Sequence, residues 1–504
     1  MSYTYNEAIV TNKKYYEEIA ESIRSKVGTS ATYKPAEMKA AIASFPTFSD
    51  SDLVRTFEEL EAKIAAKESV IWCDPTMYLG DGTNDISGEL TIDYDVSIHY
   101  LHGMVSFKTA STNPSAKLSL FNCDILTSVT GNIFFEGCNF EAYDTKFQLC
   151  GPSSLLFHQY TLDSSIILDN CDIEYTLQGD YSLGGNREIS SKLFGIDTTT
   201  NGTVVIKNSR IRQFWNNESD KYSVFTSSNS NIVYTIENTI IEGCHALSAG
   251  VMYITAGTAT FKNCLIKDCY CSGTPANNNI NAGGAIHIDG GANITLNSTQ
   301  IINCTSTGHG GAIINSGTLI MQNSKISNCI SKGFGGAICN IGTLNMSNST
   351  LEGNSSRNCT SENAVYASLG RIGRGGAIYN IGTINITGGY IINNHADYSG
   401  GGVHQDGGST TCSDSQPVVF LGNTCAMQYS ISYGHVPAGR DIFTGQPNAF
   451  TVSTTIIDTS SGVYPMNIHI YNDNSGTSGD GWRIPKVYSG GRVLPAGGYV
   501  YLTN

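Results

Sequence analysis

Between about residue 90 and residue 430, apolar and polar residues alternate in short runs such as Gly317-Thr318-Leu319-Ile320-Met321-Gln322-Asn323. A period of two marks a half-buried strand, and the Gly and Asn that close each run are turn residues. The runs recur. Gly-Gly-Ala-Ile begins at Gly283, Gly310, Gly335 and Gly375, with a relaxed copy at Gly401-Gly402-Val403, and the second glycines are spaced by 27, 25, 40 and 26 residues. A second marker, Asn-(Ser/Thr/Cys)-x-Ile, starts at Asn208, Asn238, Asn263 and Asn323. It returns with Leu351 in the last place at Asn348, stretches by one residue at Asn297, and reaches upstream to Asn122 and Asn170. No helical segment lies between the runs, so the crossovers of an ordinary parallel sheet have no room. The expected fold is therefore mainly β, a right-handed parallel β-helix with one coil per repeat. About twelve or thirteen coils stacked at about 4.8 Å would form a rod of roughly 60 Å. Gly-Gly marks a corner where a Cβ would clash, and Asn suits left-handed turns and amide ladders.

The two ends break this pattern. Tyr15, Ile19, Ile23 and Val27 recur at helical spacing, Gly28 closes that segment, and Pro35 opens a second short helix with Met38, Ala41 and Ile42 on one side. Ser49-Asp50-Ser51-Asp52 reads as an N-cap cluster. It precedes Leu53, Phe57, Leu60 and Ile64, either a short coiled-coil seam or an amphipathic helix lying on its own chain. Past residue 430 the beat stops, and β-like runs at 450–457, 467–471 and 498–502 suit a cap over an open edge. The expected organisation is a helical head at 1–48, a helical neck at 49–88, the β-helix at 89–430 and a β-rich cap at 431–504.

Composition narrows the function. The formal net charge is −14, which argues against a nucleic-acid partner. No run approaches the roughly 18 apolar residues of a membrane-spanning helix, so no membrane insertion is expected. The first residues carry neither a basic nor an apolar signal region, which leads to an expectation of cytosolic synthesis and free thiols. None of the 15 cysteines has a paired metal-ligand spacing. Cys244, Cys269, Cys304 and Cys329 each close an Ile-x-x-Cys segment and should stack as an inward column, with Cys123, Cys138, Cys171 and Cys264 as a second set. No metal and no cofactor are expected.

The head carries a resemblance. Ile19-Ala20-Glu21-Ser22-Ile23-Arg24-Ser25-Lys26-Val27-Gly28-Thr29, then Lys34-Pro35-Ala36-Glu37-Met38 and Ile42, resembles the small helical module that opens many tail proteins of phages of Gram-positive gut bacteria. The match covers about a tenth of the chain, and Ser22 stands where that family more often has Ala. The resemblance implies a virion tail fibre or tailspike that docks on tail or baseplate proteins through Ile19, Ile23, Pro35, Met38 and Ile42. With the short heptad seam, it also implies a homotrimer.

Phage tail proteins with such bodies often cleave surface polysaccharide, which takes two carboxylates roughly 5–10 Å apart. The column three residues after each second glycine reads His287, Ile314, Cys339, Tyr379 and Gln405, and the next reads Ile288, Asn315, Asn340, Asn380 and Asp406; no carboxylate pair emerges. Asp289 and Asp406 lie in similar His-x-Asp triplets, about four coils apart and too distant to act together. Glu362 clusters with Arg371 and Arg374 in an insertion around 355–374, as a lyase would need. The glycan-binding candidates are His287, Tyr379, His404, Arg371 and Arg374, since insertions in solenoids emerge on one face and tyrosines suit sugar contacts. Three functions remain open: an adhesin for a host-surface glycan, a polysaccharide depolymerase, and a purely structural baseplate or decoration protein.

Overall fold

The computed structural model describes residues 52–79, 89–126, 133–137, 139–149, 155–159, 164–175, 192–196, 201–215, 224–273, 283–357, 373–412, 418–426, 428–431, 434–437, 442–444, 450–452 and 468–470. The head residues Ile19, Ile23, Pro35, Met38 and Ile42, together with Cys138, Glu362 and Arg371, lie outside the described residues. The chain divides into two units, Met1–Leu53 and Val54–Asn504, and every described strand belongs to the second.

That unit is mainly β, with one described helix, Phe57–Ala65. Its N-cap is Thr56, whose side chain and that of Glu59 close a capping box, so the cap falls later than the 49–52 cluster. Leu60 and Ile64 are buried in the same hydrophobic cluster as the strands, so the apolar stripe packs on its own chain. Strands form sheets of 31, seven and five members among the described residues. Pairing is parallel throughout these sheets, and an antiparallel hairpin joins Gln428–Ile431 to Gly434–Pro437.

One column shows how the alternation is used. Ile71, Ile98, Leu120, Ala142, Leu168, Ile206, Ile236, Phe261, Leu296, Met321, Met346, Ile386, Cys412 and Val452 pair successively in register. Ile71 through Cys412 are at most 1% exposed. A slip of one residue would turn each of these side chains outward, so burial itself fixes the register. Pairing also runs past the interval the repeats mark, from Val70–Trp72 at one end to Ile468–Ile470 at the other.

Between strands the backbone turns through left-handed residues. Asn122, Asn170, Asn208, Asn238, Asn263, Asn323 and Asn348 all have φ between +45° and +54°. Asn263 Nδ2 donates to Asn238 Oδ1 at 3.3 Å, and Asn238 Nδ2 to Asn208 Oδ1 at 3.1 Å. In the stretched copy Ser298, not Asn297, takes the positive φ, which restores the common register. The residues after these turns form an inward column in which each backbone N–H meets the next side chain: Cys171 to Ser209, Ser209 to Thr239, Cys264 to Thr299, Thr299 to Ser324 and Ser324 to Ser349. Cys123, Cys171 and Cys264 are thus interleaved with hydroxyls and do not stack on one another. Cys244, Cys269, Cys304 and Cys329 do follow one another directly and are at most 1% exposed. Beyond Cys329 the same column continues as buried Asn354, Asn394 and Asn423, with the backbone N–H groups of Cys329, Asn354 and Asn394 each donating to the side-chain amide oxygen of the next residue in the column.

Candidate functional site

The second glycine of each corner lies against the next repeat. A Cβ at Gly311 would fall 2.0 Å from the Gly336 carbonyl oxygen, and one at Gly336 equally close to that of Gly376. The first glycines Gly310, Gly335, Gly375 and Gly400 share a φ of +60° to +72°. This identifies Gly400-Gly401-Gly402-Val403 as the last copy, one residue earlier than the Gly401-Gly402 alignment. The pairing of Ile378 with Val403 agrees. The shift matters chemically, because it puts His404 beside Tyr379, makes Gln405 the end of the Asn ladder, and leaves Asp406 one place beyond.

The strands Ile286–Asn297, Ile313–Asn315, Ile338–Asn340, Ile378–Asn380 and Val403–Gln405 therefore present three columns. Their first and third residues face the interior. There Asn315 donates to Asn340, Asn340 to Asn380 and Asn380 to Gln405, at 2.7–2.8 Å. The middle column, preceded by Tyr253, reads His287, Ile314, Cys339, Tyr379 and His404. It faces the other way and is buried as well. Phe334 stacks on Tyr379 with centroids 4.5 Å apart, His309 stacks on Phe334 at 4.6 Å, and Ile314, Cys339 and Tyr379 form a separate small hydrophobic cluster.

Two nodes of one design end this column. At the first, Tyr253 Oη donates to Asp289 Oδ2 at 3.0 Å and His287 Nε2 lies 3.1 Å from Asp289 Oδ1. At the second, Tyr379 Oη donates to Asp406 Oδ2 at 2.6 Å, Arg374 Nη1 donates to the same oxygen at 3.1 Å, and His404 Nε2 lies 3.9 Å from Asp406 Oδ1. In each, a tyrosine from one strand and a histidine from the next converge on a carboxylate two residues past the histidine. Each His-x-Asp pair shares one face.

The histidines and Tyr379 lie beneath the surface: His287, Tyr379 and His404 are 3%, 8% and 1% exposed. The aspartates reach solvent, with side chains 35% and 41% exposed. Burial lowers the His404 pKa to about 4 and raises that of the Tyr379 hydroxyl, the latter reinforced by Asp406. The neighbouring His404 imidazole, then Tyr379 and Arg374, hold the Asp406 carboxyl well below the usual carboxylate range against the opposing effect of burial. Ser399 Oγ lies 2.8 Å from His404 Nδ1. With the proton on Nε2, which faces Asp406, Nδ1 accepts from the serine hydroxyl.

This arrangement makes Asp406 a fixed anion and hydrogen-bond acceptor. It is poorly suited to general acid catalysis, which needs a raised carboxyl pKa, and the Tyr379 hydroxyl is committed to the carboxylate. Ser399 is fully buried and contacts Nδ1, so the serine and histidine do not form an accessible nucleophile pair. Among the described residues no group of three or more His, Cys, Asp or Glu is placed to hold a metal ion. Sequence reasoning missed Tyr253 and Ser399. The signal for Tyr253 lay in Ala249-Gly250-Val251-Met252, a degenerate corner that pairs with Gly283-Gly284-Ala285-Ile286.

In comparison with known proteins, no family model, no curated protein and no solved structure matches this chain.

Proposed function

We propose that the chain is a phage tail fibre or tailspike whose body is a right-handed parallel β-helix, and that the body recognises a host-surface glycan without cleaving it. The head, by its resemblance, attaches to the tail or baseplate, and three copies form the spike. The observation that carries binding over cleavage is the state of the two exposed aspartates. Asp289 and Asp406 are four strand steps apart, about 19 Å at the usual strand spacing. A hydrolase needs its carboxylates within roughly 5–10 Å. Asp406 is moreover held as the anion by Tyr379 and Arg374, which suits accepting sugar hydroxyls.

The test is to incubate the full chain with an array of bacterial surface polysaccharides and to follow both retention and polymer length. Retention with unchanged length is expected. Shortened chains would make the protein a depolymerase, and no retention on any glycan would leave only a structural role. Sedimentation of the full chain should give the mass of three copies.

A further inference from the structure

The residue that follows the third position of each of these strands forms a further column: Asp289, within the strand Ile286–Asn297, then Ser316, Ile341, Ile381 and Asp406. Backbone bonds step along it one strand at a time, from Ser316 N to Ile288 O, Ile341 N to Asn315 O, Ile381 N to Asn340 O and Asp406 N to Asn380 O, at 2.7–2.9 Å. Ile341 and Ile381 are 38% and 41% exposed, unusual because most isoleucines among the described residues are buried. The column is thus apolar in its middle and carboxylate at both ends. Each carboxylate is oriented from beneath by a tyrosine hydroxyl.

We propose that this column is one continuous ligand track, which takes a neutral or amine-bearing run of about four pyranose rings and rejects acidic glycans. The inference rests on the glycan-recognition reading above and adds the length and charge of what is recognised. The span between the aspartates, about 19 Å over four strand steps, sets the length. The apolar C–H faces of the central rings lie on Ile341 and Ile381, while hydroxyl or ammonium donors of the end rings reach Asp289 and Asp406, where ionised acceptors give the stronger class of hydrogen bond. A uronate or other acidic ring would meet two carboxylates on a chain of net charge −14.

The test is calorimetric titration of the full chain with tetramers of N-acetylglucosamine, glucosamine and galacturonate, and with the two corresponding non-acidic dimers. The non-acidic tetramers should bind, their dimers about tenfold more weakly, and the galacturonate tetramer not detectably. Asp289→Asn and Asp406→Asn should each weaken tetramer binding about tenfold, the loss of a charge-assisted hydrogen bond. If either variant shifts the unfolding midpoint, the surface pair Ile341→Ser/Ile381→Ser serves instead and should weaken binding by a similar factor. Preference for the acidic tetramer, equal binding of dimers, or no binding of either non-acidic tetramer at millimolar concentration overturns the proposal. Retention on the polysaccharide array that survives the Asp289→Asn/Asp406→Asn double variant sinks the track but leaves glycan recognition standing. An array with no retention at all sinks both.

Discussion

His404 is packed between Tyr379 and Ser399, and its burial costs the imidazolium its hydration. Folded His404 therefore takes its proton only near pH 4, whereas in an unfolded chain a histidine does so near pH 6.5. Between those values the unfolded state binds more protons, so stability that is fully present above about pH 6.5 is lost as the pH falls toward 4. At about 1.4 kcal/mol per pKa unit this amounts to roughly 3 kcal/mol for one histidine. His245, with a pKa near 4, and His309, near 3, are lowered by the same cause and add in the same direction. Urea unfolding between pH 7 and 4.5 should show a midpoint that falls steadily across this window. His404→Gln should flatten that fall while lowering the midpoint at pH 7. A midpoint independent of pH over the window would mean that these imidazoles are hydrated in the folded state. Asp406 acts in a separate, lower window: its carboxyl is lowered, so its contribution is lost only as the pH drops through and below the ordinary carboxylate range.

Among the elements, the short strands ending in Asn315, Asn340 and Asn380 are tied by interior amides that are 0% exposed, while a similar pair, Asn385 to Asn345, lies on the outer surface. Asn340→Ala removes a partner from both neighbours in a place water cannot reach and should cost about 2–3 kcal/mol. Asn385→Ala, whose partner can turn to solvent, should cost under about 0.5 kcal/mol. Equal shifts in the urea midpoints of the two variants would show that the interior ladder contributes no more than a surface contact. These elements were largely legible in the sequence because their signals are local: an alternating run, a Gly-Gly corner, an Asn turn. The thiol column of Cys244, Cys269, Cys304 and Cys329 was legible for the same reason. The site was legible only in part. Asp289, Asp406, His287, Tyr379, His404 and Arg374 could be named, but Gly400-Gly401-Gly402 offers two alignments, which the positive φ at Gly400 and the pairing of Ile378 with Val403 separate. One residue of register decides whether His404 or Gln405 stacks on Tyr379. The second cysteine set failed similarly, because Thr145, Ser209 and Thr239 occupy intermediate steps that a search for cysteine alone passes over.

For the whole molecule, the successive pairing from Ile71 to Val452 has an energetic consequence. Each strand in that column pairs with the strand before it and the strand after it, so stability should be a sum of nearest-neighbour terms with no single centre. At about 4.8 Å per step the column would extend roughly 62 Å. The interior is not equally supported along that length. From Ile206 to Ile386 the strands are backed by the left-handed Asn turns, the buried Asn ladder and the thiol column, whereas the strand Phe450–Val452 pairs only with Ser409–Cys412 in the described structure. Amide hydrogen exchange on the full chain should therefore be graded, slowest around Leu296, Met321 and Met346 and faster toward Ile71 and beyond Cys412. Replacing Met321 by Asp places an unpaired charge inside the slow region and should raise exchange in the strands on either side of it before those farther off. Uniform exchange lost all at once in the variant would point instead to one cooperative core without nearest-neighbour grading, and would count against the proposed β-helix and the ligand track proposed along it.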